Sequence, residues 1–197
     1  MELRSSQTSV NLMRAFAGES QAANRYLFAA EQAKKENLSV IEAVFKFTAK
    51  QERAHAKVFY DFLKEMTGET IKIDGSYPVD IHDKTVNYLR AAQHNEFEEF
   101  SPVYPDFAIT ANQEGFAQIA GKFNEIAKIE KTHGNRFGLL ADLLEQGKLF
   151  IADAEEEWMC LNCGYIHKSS EAPKACPVCS HNQGYFIRLS LAPYTAK

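Results

Sequence analysis

The chain has 197 residues, 45% of them hydrophobic and 24% charged, with a formal net charge of −4. That length accommodates one full-sized domain and a small appendage, and the composition excludes a disordered polypeptide. No basic stretch gathers the charge a nucleic-acid partner needs and no apolar run approaches membrane-spanning length, so neither nucleic acid nor membrane is expected as a partner. The N-terminal Met-Glu-Leu-Arg-Ser-Ser-Gln lacks the apolar core of a signal peptide, which makes the cytoplasm the expected compartment.

From about Ser9 to Gln146, apolar residues recur at steps of three and four, the period of helices packed on a core. The first stripe carries Leu12, Phe16, Glu19, Ala23, Tyr26 and Ala30. Asn37 and Ser39 suit a short turn, and Ser39 and Glu42 stand at capping-box spacing for the second helix. That helix shows Ile41, Phe45, Thr48, Glu52, His55, Phe59, Phe62 and Met66. The polar segment from Thr67-Gly68 to Tyr77-Pro78 is too long for a tight turn and reads as a crossover between two halves. A shorter third stripe runs through Leu89, Ala92, Glu96, Glu99 and Val103, where Pro102 and Pro105 should kink or split the helix. The fourth carries Phe116, Ile119, Phe123, Ile126, Glu130, His133, Phe137, Leu140 and Leu144, and Gly147 ends it. Four helices with one long connection between the second and third is the ferritin-like plan among bundles. The expected division is a mainly α bundle over 1–150, then a linker and small metal domain over 151–197, with a flexible linker near Asp153 to Glu157.

Glu19, Glu52, His55, Glu96, Glu99, Glu130 and His133 occupy positions where the helical period demands apolar side chains. Burying one unpaired carboxylate costs on the order of several kcal/mol. Five in one core call for bound cations or protonation. Glu52-Arg-Ala-His55 and Glu130-Lys-Thr-His133 both place a Glu and a His one turn apart on one face. One Glu from each of two helices, plus Glu-x-x-His from each of the others, is the di-iron carboxylate arrangement. The halves also repeat: 33 residues separate Glu19 from Glu52 and 34 separate Glu96 from Glu130. A solvated ion pair is the usual meaning of one isolated Glu-x-x-His, but two on apolar stripes with matching carboxylates are not explained that way. Glu98 falls off the stripe and reads as a surface residue, whereas Glu99 falls on it. Tyr26, on the face of Glu19, and Tyr104, beside the Pro105 break, could donate hydrogen bonds to these groups or serve simply as packing.

All four cysteines fall in two Cys-x-x-Cys pairs, Cys160/Cys163 and Cys176/Cys179. In a reducing compartment this spacing points to tetrahedral thiolate binding of one iron or zinc ion rather than disulfides. The tail has little apolar material, so a structural metal would supply the missing stability. With four thiolates completing that site, His167 and His181 are expected at the surface.

Together the Gly18-Glu19-Ser20 start, Glu52-Arg-Ala-His55, Glu96-x-x-Glu99, the Tyr104-Pro105 break, Glu130-x-x-His133 and the cysteine pairs resemble the rubrerythrin family over essentially the whole chain. The resemblance implies a ferritin-like di-iron bundle followed by a rubredoxin-like domain. It implies that Glu52 and Glu130 bridge two irons, that Glu19 with His55 or Glu99 completes one, and that Glu96 and His133 complete the other. It implies reduction of hydrogen peroxide to water in oxidative-stress defence. Electrons would come through the rubredoxin-like iron from a reductase or rubredoxin linked to NAD(P)H, in a homodimer. Asn95 departs from the Gly that the family often has before the third-helix Glu. Rival readings are a ferroxidase or iron-storage protein, which needs no electron-carrying tail, oxygen-activating chemistry, and a scaffold with zinc in both sites.

Overall fold

The computed structural model describes residues 2–194. Helix α1 (Gln7–Lys35) packs along α2 (Ser39–Asp61), while α3 (Thr85–Glu98) and α4 (Tyr104–Gln113) pack along α5 (Ala117–Glu145). Residues 67–84 cross between the halves without forming a helix or strand. The third rod is broken as its prolines demand: Glu99–Val103 is a widened helical segment, and Ser101 within it leaves helical geometry (φ −163°, ψ 116°). Pro105 then sits in the first turn of α4, where its missing N–H costs nothing.

Three helices end in the same way. Asn37 (φ 59°), Gly115 (φ 89°) and Gly147 (φ 66°) adopt left-handed backbone just past α1, α4 and α5. At each, the following N–H reaches back to the last turn: Leu38 to Ala33 O, Phe116 to Ala111 O and Lys148 to Leu143 O. These paired bonds satisfy otherwise orphaned carbonyls. The expected capping box on α2 does not form. Leu38 precedes the helix with no side-chain cap, Ser39 already lies in the first turn, and Glu42 pairs with Lys46 at 2.5 Å. The tight left-handed turn at Asn37 already sets the entry angle. At α1, Ser6 accepts from Ser9 N, and the Glu114 carboxylate accepts from Gln7 N and Thr8 N at 2.8 and 2.7 Å. An anion at a helix N-terminus is favoured by the helix dipole, and here it ties α1 to the α4–α5 turn.

Two apolar clusters fill the bundle, one around Tyr26, Phe45 and Phe137 and the other around Phe59, Tyr104 and Phe123. Beyond α5, the strands β1 (Ile151–Cys160), β2 (Ile166–Glu171) and β3 (Phe186–Arg188) form an antiparallel sheet in the order β2-β1-β3. Residues 153–157, expected as a flexible linker, are therefore part of β1, with an irregular register between Ile151 and Glu156. Trp158 is fully buried at the centre of the small domain, its indole N–H donating to Ser169 O at 2.9 Å. The Arg188 guanidinium lies over that ring and donates to Lys148 O and Ile151 O, both at 2.8 Å, which fastens the end of the bundle to the sheet. The domain also meets the bundle at the α1–α2 turn. A Cβ on Gly184 would lie 1.8 Å from Asn37 O, an approach only glycine permits. No helix among the described residues is long and apolar enough to cross a membrane.

Candidate metal centres

The stripe positions converge as the helical period requires. Glu19, Glu52, Glu96, Glu130 and His133 are at most 1% exposed, and His55 is 7% exposed. They form two groups of four converging donors, Glu19-Glu52-His55-Glu130 and Glu52-Glu96-Glu130-His133, which share Glu52 and Glu130. His55 Nδ1 lies 3.0 Å from Glu52 Oε2, 3.0 Å from Glu130 Oε1 and 3.7 Å from Glu19 Oε2. On the other side, His133 Nδ1 lies 2.9 Å from Glu52 Oε1, 2.9 Å from Glu130 Oε2 and 3.6 Å from Glu96 Oε2. Each shared carboxylate thus turns one oxygen to each imidazole. The rings are nearly parallel, their centroids 5.7 Å apart.

The outer oxygens have partners. Tyr26 Oη donates to Glu96 Oε1, and Tyr104 Oη donates to Glu19 Oε1. Both tyrosines are buried, and burial together with the neighbouring carboxylates pushes their pKa values well up, so they remain donors. The inward atoms do not have partners. Glu19 Oε2, both oxygens of Glu52 and of Glu130, Glu96 Oε2, His55 Nδ1 and His133 Nδ1 are buried with no aligned hydrogen bond. Native interiors seldom leave such groups unsatisfied, and eight in one cage facing each other fit a cluster of cations. Carboxylates and imidazoles suit iron.

Left to one another, these groups have shifted protonation. Burial pushes Glu19 and Glu96 well above the usual carboxylate range, reinforced by the neighbouring carboxylates. Burial opposes charge on the imidazoles, yet the carboxylates around them win, raising His133 to about 11 and His55 further still. Burial also works against charge on Glu52, but the two histidines hold it down to about 2.

Glu99 stands apart from both four-donor groups and is partly buried. Burial and the nearby carboxylates push its pKa well up. Three further side chains complete the surroundings: Thr48, which lies on the periodic stripe of α2, and Gln51 and Arg136, which the periodicity did not single out. Gln51 Oε1 lies 3.1 Å from His133 Nε2 and accepts from Arg136 at 3.2 Å, while Arg136 also donates to Thr48 Oγ1 at 2.9 Å. The signal available was spacing: Arg136 is one turn beyond His133, and Thr48 is one turn before Gln51 and Glu52. His55 has no comparable tether among the described contacts. Asn95 donates to Asp80 at 3.0 Å and so binds the crossover to α3.

In the small domain, Cys160 Sγ lies 3.7 Å from Cys179 Sγ, and Cys163 Sγ lies 3.6 Å from Cys176 Sγ. All four are free thiols and converge as one group. Two matching knuckles present them. Gly164 N donates to Cys160 O and Ser180 N to Cys176 O, with Gly164 and Ser180 at positive φ (78° and 61°). The backbone N–H of His181 lowers the Cys179 thiol to about 6, favouring the thiolate a metal needs. His167 and His181 are partly exposed: His181 packs edge-on against Tyr185, and His167 lies beside Tyr165.

The sequence pattern of the family described as rubrerythrin matches residues 11–141, and that of its rubredoxin-like domain matches residues 158–187. Rubrerythrin-1 of Clostridium acetobutylicum is 46% identical over 95% of this chain and 97% of its own length. Rubrerythrin of Clostridium perfringens is 44% identical over 93% of this chain and 95% of its own. A solved structure of nigerythrin in its mixed-valence state aligns with a TM-score of 0.62 at 27% identity, covering 92% of this chain and 86% of the other. With the carboxylate–histidine cage in the bundle and the four-cysteine group in the sheet domain, the chain belongs to the rubrerythrin family.

Proposed function

We propose that the chain is a non-haem di-iron peroxidase that reduces hydrogen peroxide to water, consuming two electrons and two protons per peroxide. The observation that carries this reading is the way Glu52 and Glu130 each turn one oxygen toward each imidazole, so that both carboxylates would be shared by a pair of ions. In this reading Glu19 and His55 would hold one iron, and Glu96 and His133 would hold the other. Glu99 stands in reserve beside them. Two ferrous ions, when bound, supply both electrons that cleavage of one O–O bond needs.

The protein's own groups do the rest. Tyr26 and Tyr104 hold the outer oxygens of Glu96 and Glu19, leaving the inner ones free to take a metal. The aromatic clusters on either side keep bulk water out and strengthen every charge interaction between them. Glu99, held protonated, is placed to hand over a proton. The four thiolates would hold an iron that carries one electron at a time and would recharge the cage in two steps, with an NAD(P)H-linked reductase or rubredoxin as the proposed donor and a homodimer as the proposed working form. Zinc in the four-thiolate site would leave it colourless, while iron would make it red.

Rapid mixing of the fully reduced protein tests this. Peroxide should oxidise the cage faster than dioxygen at equal concentration. The doubly substituted Cys160→Ser, Cys163→Ser protein should oxidise once but not turn over. A faster reaction with dioxygen, accompanied by uptake of more ferric iron than the two sites hold, would favour storage and defeat the proposal.

A further inference from the structure

A cavity of about 540 Å³ lies beneath the crossover and reaches inward to Glu99 and Tyr104. Its roof is built rather than loose. Arg14, on α1, pairs with Asp74 and donates to Asp74 O through Nε at 3.2 Å. Six residues further on, Asp80 is held by Arg25 from α1 at 2.5 Å and by Asn95 from α3 at 3.0 Å. The segment between these clamps spans the seam between α1 and α3.

Tyr77 occupies the middle of that span. Its hydroxyl donates to Arg14 O at 3.2 Å. Its ring lies so close to Gly75 that a Cβ there would meet ring atoms at 3.1 Å, and its other edge is 3.8 Å from the Cβ position on Gly18. The same Gly18 position is 4.0 Å from Glu99 Oε1. The ring is therefore wedged between two glycines, 41% exposed on its outer side and facing the approach to Glu99 on its inner side. A Cβ at position 75 would press on the ring, whereas one at position 18 would meet it at ordinary contact distance.

We propose that this cavity is the route by which hydroperoxides reach the carboxylate–histidine cage, and that the Tyr77 ring sets the size limit. The proposal rests on the peroxidase reading for its substrate class, but the route itself does not. The reaction is ROOH + 2e⁻ + 2H⁺ → ROH + H₂O. The O–O bond breaks, the reduced cage provides both electrons, and both protons come ultimately from solvent. With R = H the molecule passes the ring; with a bulky R it is held outside. The largely buried Arg25–Asp80 pair anchors the far end of the span, while the exposed Arg14–Asp74 pair holds the near end only weakly.

The experiment compares wild type, Tyr77→Ala and Tyr77→Phe, all iron-loaded and reduced, mixed with hydrogen peroxide or with cumene hydroperoxide. Tyr77→Ala should raise the cumene hydroperoxide rate constant about tenfold, with the hydrogen peroxide rate changed less than about twofold. Tyr77→Phe should keep the wild-type selectivity, since the ring and not its hydroxyl forms the obstruction. A second readout is free of turnover: azide should associate with the oxidised Tyr77→Ala protein faster than with wild type, followed by absorption. If wild type is oxidised by neither hydroperoxide, the peroxidase reading fails, and the azide rates still decide the route. Identical hydroperoxide selectivity and identical azide rates in Tyr77→Ala and wild type would overturn the proposal.

Discussion

Stripping metal from the cage should make the bundle lose stability as pH rises, opposite to the usual behaviour of a protein held by carboxylate salt bridges. With a chelator removing the ions, the cage groups have only one another. His133 is raised to about 11 from 6.5, so its contribution is fully present below pH 6.5 and is lost as pH rises toward 11. At about 1.4 kcal/mol per pH unit, the loss between pH 6.5 and 8 is roughly 2 kcal/mol from this one residue. His55, raised further, adds to it in the same direction. Glu19, Glu96 and Glu99 also have raised values, so their protonated forms favour folding, and that contribution declines as pH climbs above 4.5. Glu52 alone is depressed, to about 2, and its contribution is lost only as pH falls below 4.5, outside the window. A net loss of about 2 kcal/mol or more is a large share of a stability of about 5–15 kcal/mol. Urea unfolding of the stripped protein, followed by far-ultraviolet circular dichroism at pH 6.5 and 8, should show it as a lower midpoint at pH 8. The loaded protein should show no such fall, because ions require deprotonated ligands and bind more tightly as pH rises. A stripped bundle that is equally stable, or more stable, at pH 8 would refute this account of the cage.

Glu52→Ala or Glu130→Ala should abolish metal loading of the cage while leaving the four-cysteine site filled, and iron counting on the purified variants checks it; full cage iron in both would remove the bridging assignment. Gln51→Leu takes the acceptor from His133 Nε2, and loss of such an outer partner weakens metal binding by about 10–100-fold, measurable by competition with a chelator. Gly184→Ala cannot be accommodated against Asn37 O, so limited proteolysis should cut between the bundle and the small domain faster in that variant.

Much of the site was legible in the sequence because helical periodicity assigns each residue to a face. Charges at Glu19, Glu52, His55, Glu96, Glu130 and His133 interrupt apolar stripes, and the structure buries every one of them. The cysteine pairs were equally plain, since two such spacings leave few geometries for four thiols. The capping box at Ser39 and Glu42 misled, because a left-handed turn at Asn37 already shapes that entry. Asp153 to Glu157 was expected as a linker, yet β1 runs through it, and its charged side chains are tolerated because most of that stretch of strand faces solvent.

What the sequence by itself determined is which side chains turn inward on each helix and where the chain breaks. Only tertiary structure decided which inward groups meet. Tyr26 shares a helix face with Glu19, but it bonds Glu96 across the bundle, while Tyr104 reaches Glu19 from α4. Glu99 lies one turn from Glu96, yet the widened segment after α3 leaves it outside both donor groups, toward the cavity under the crossover. The crossover itself carried no periodic signal, and its placement depends on Arg14, Arg25 and Asn95 on two other helices. The physical reason is one of range. Periodicity is set by local backbone geometry within a single helix, whereas partner choice depends on how separate helices pack and rotate against each other, and no local spacing encodes that.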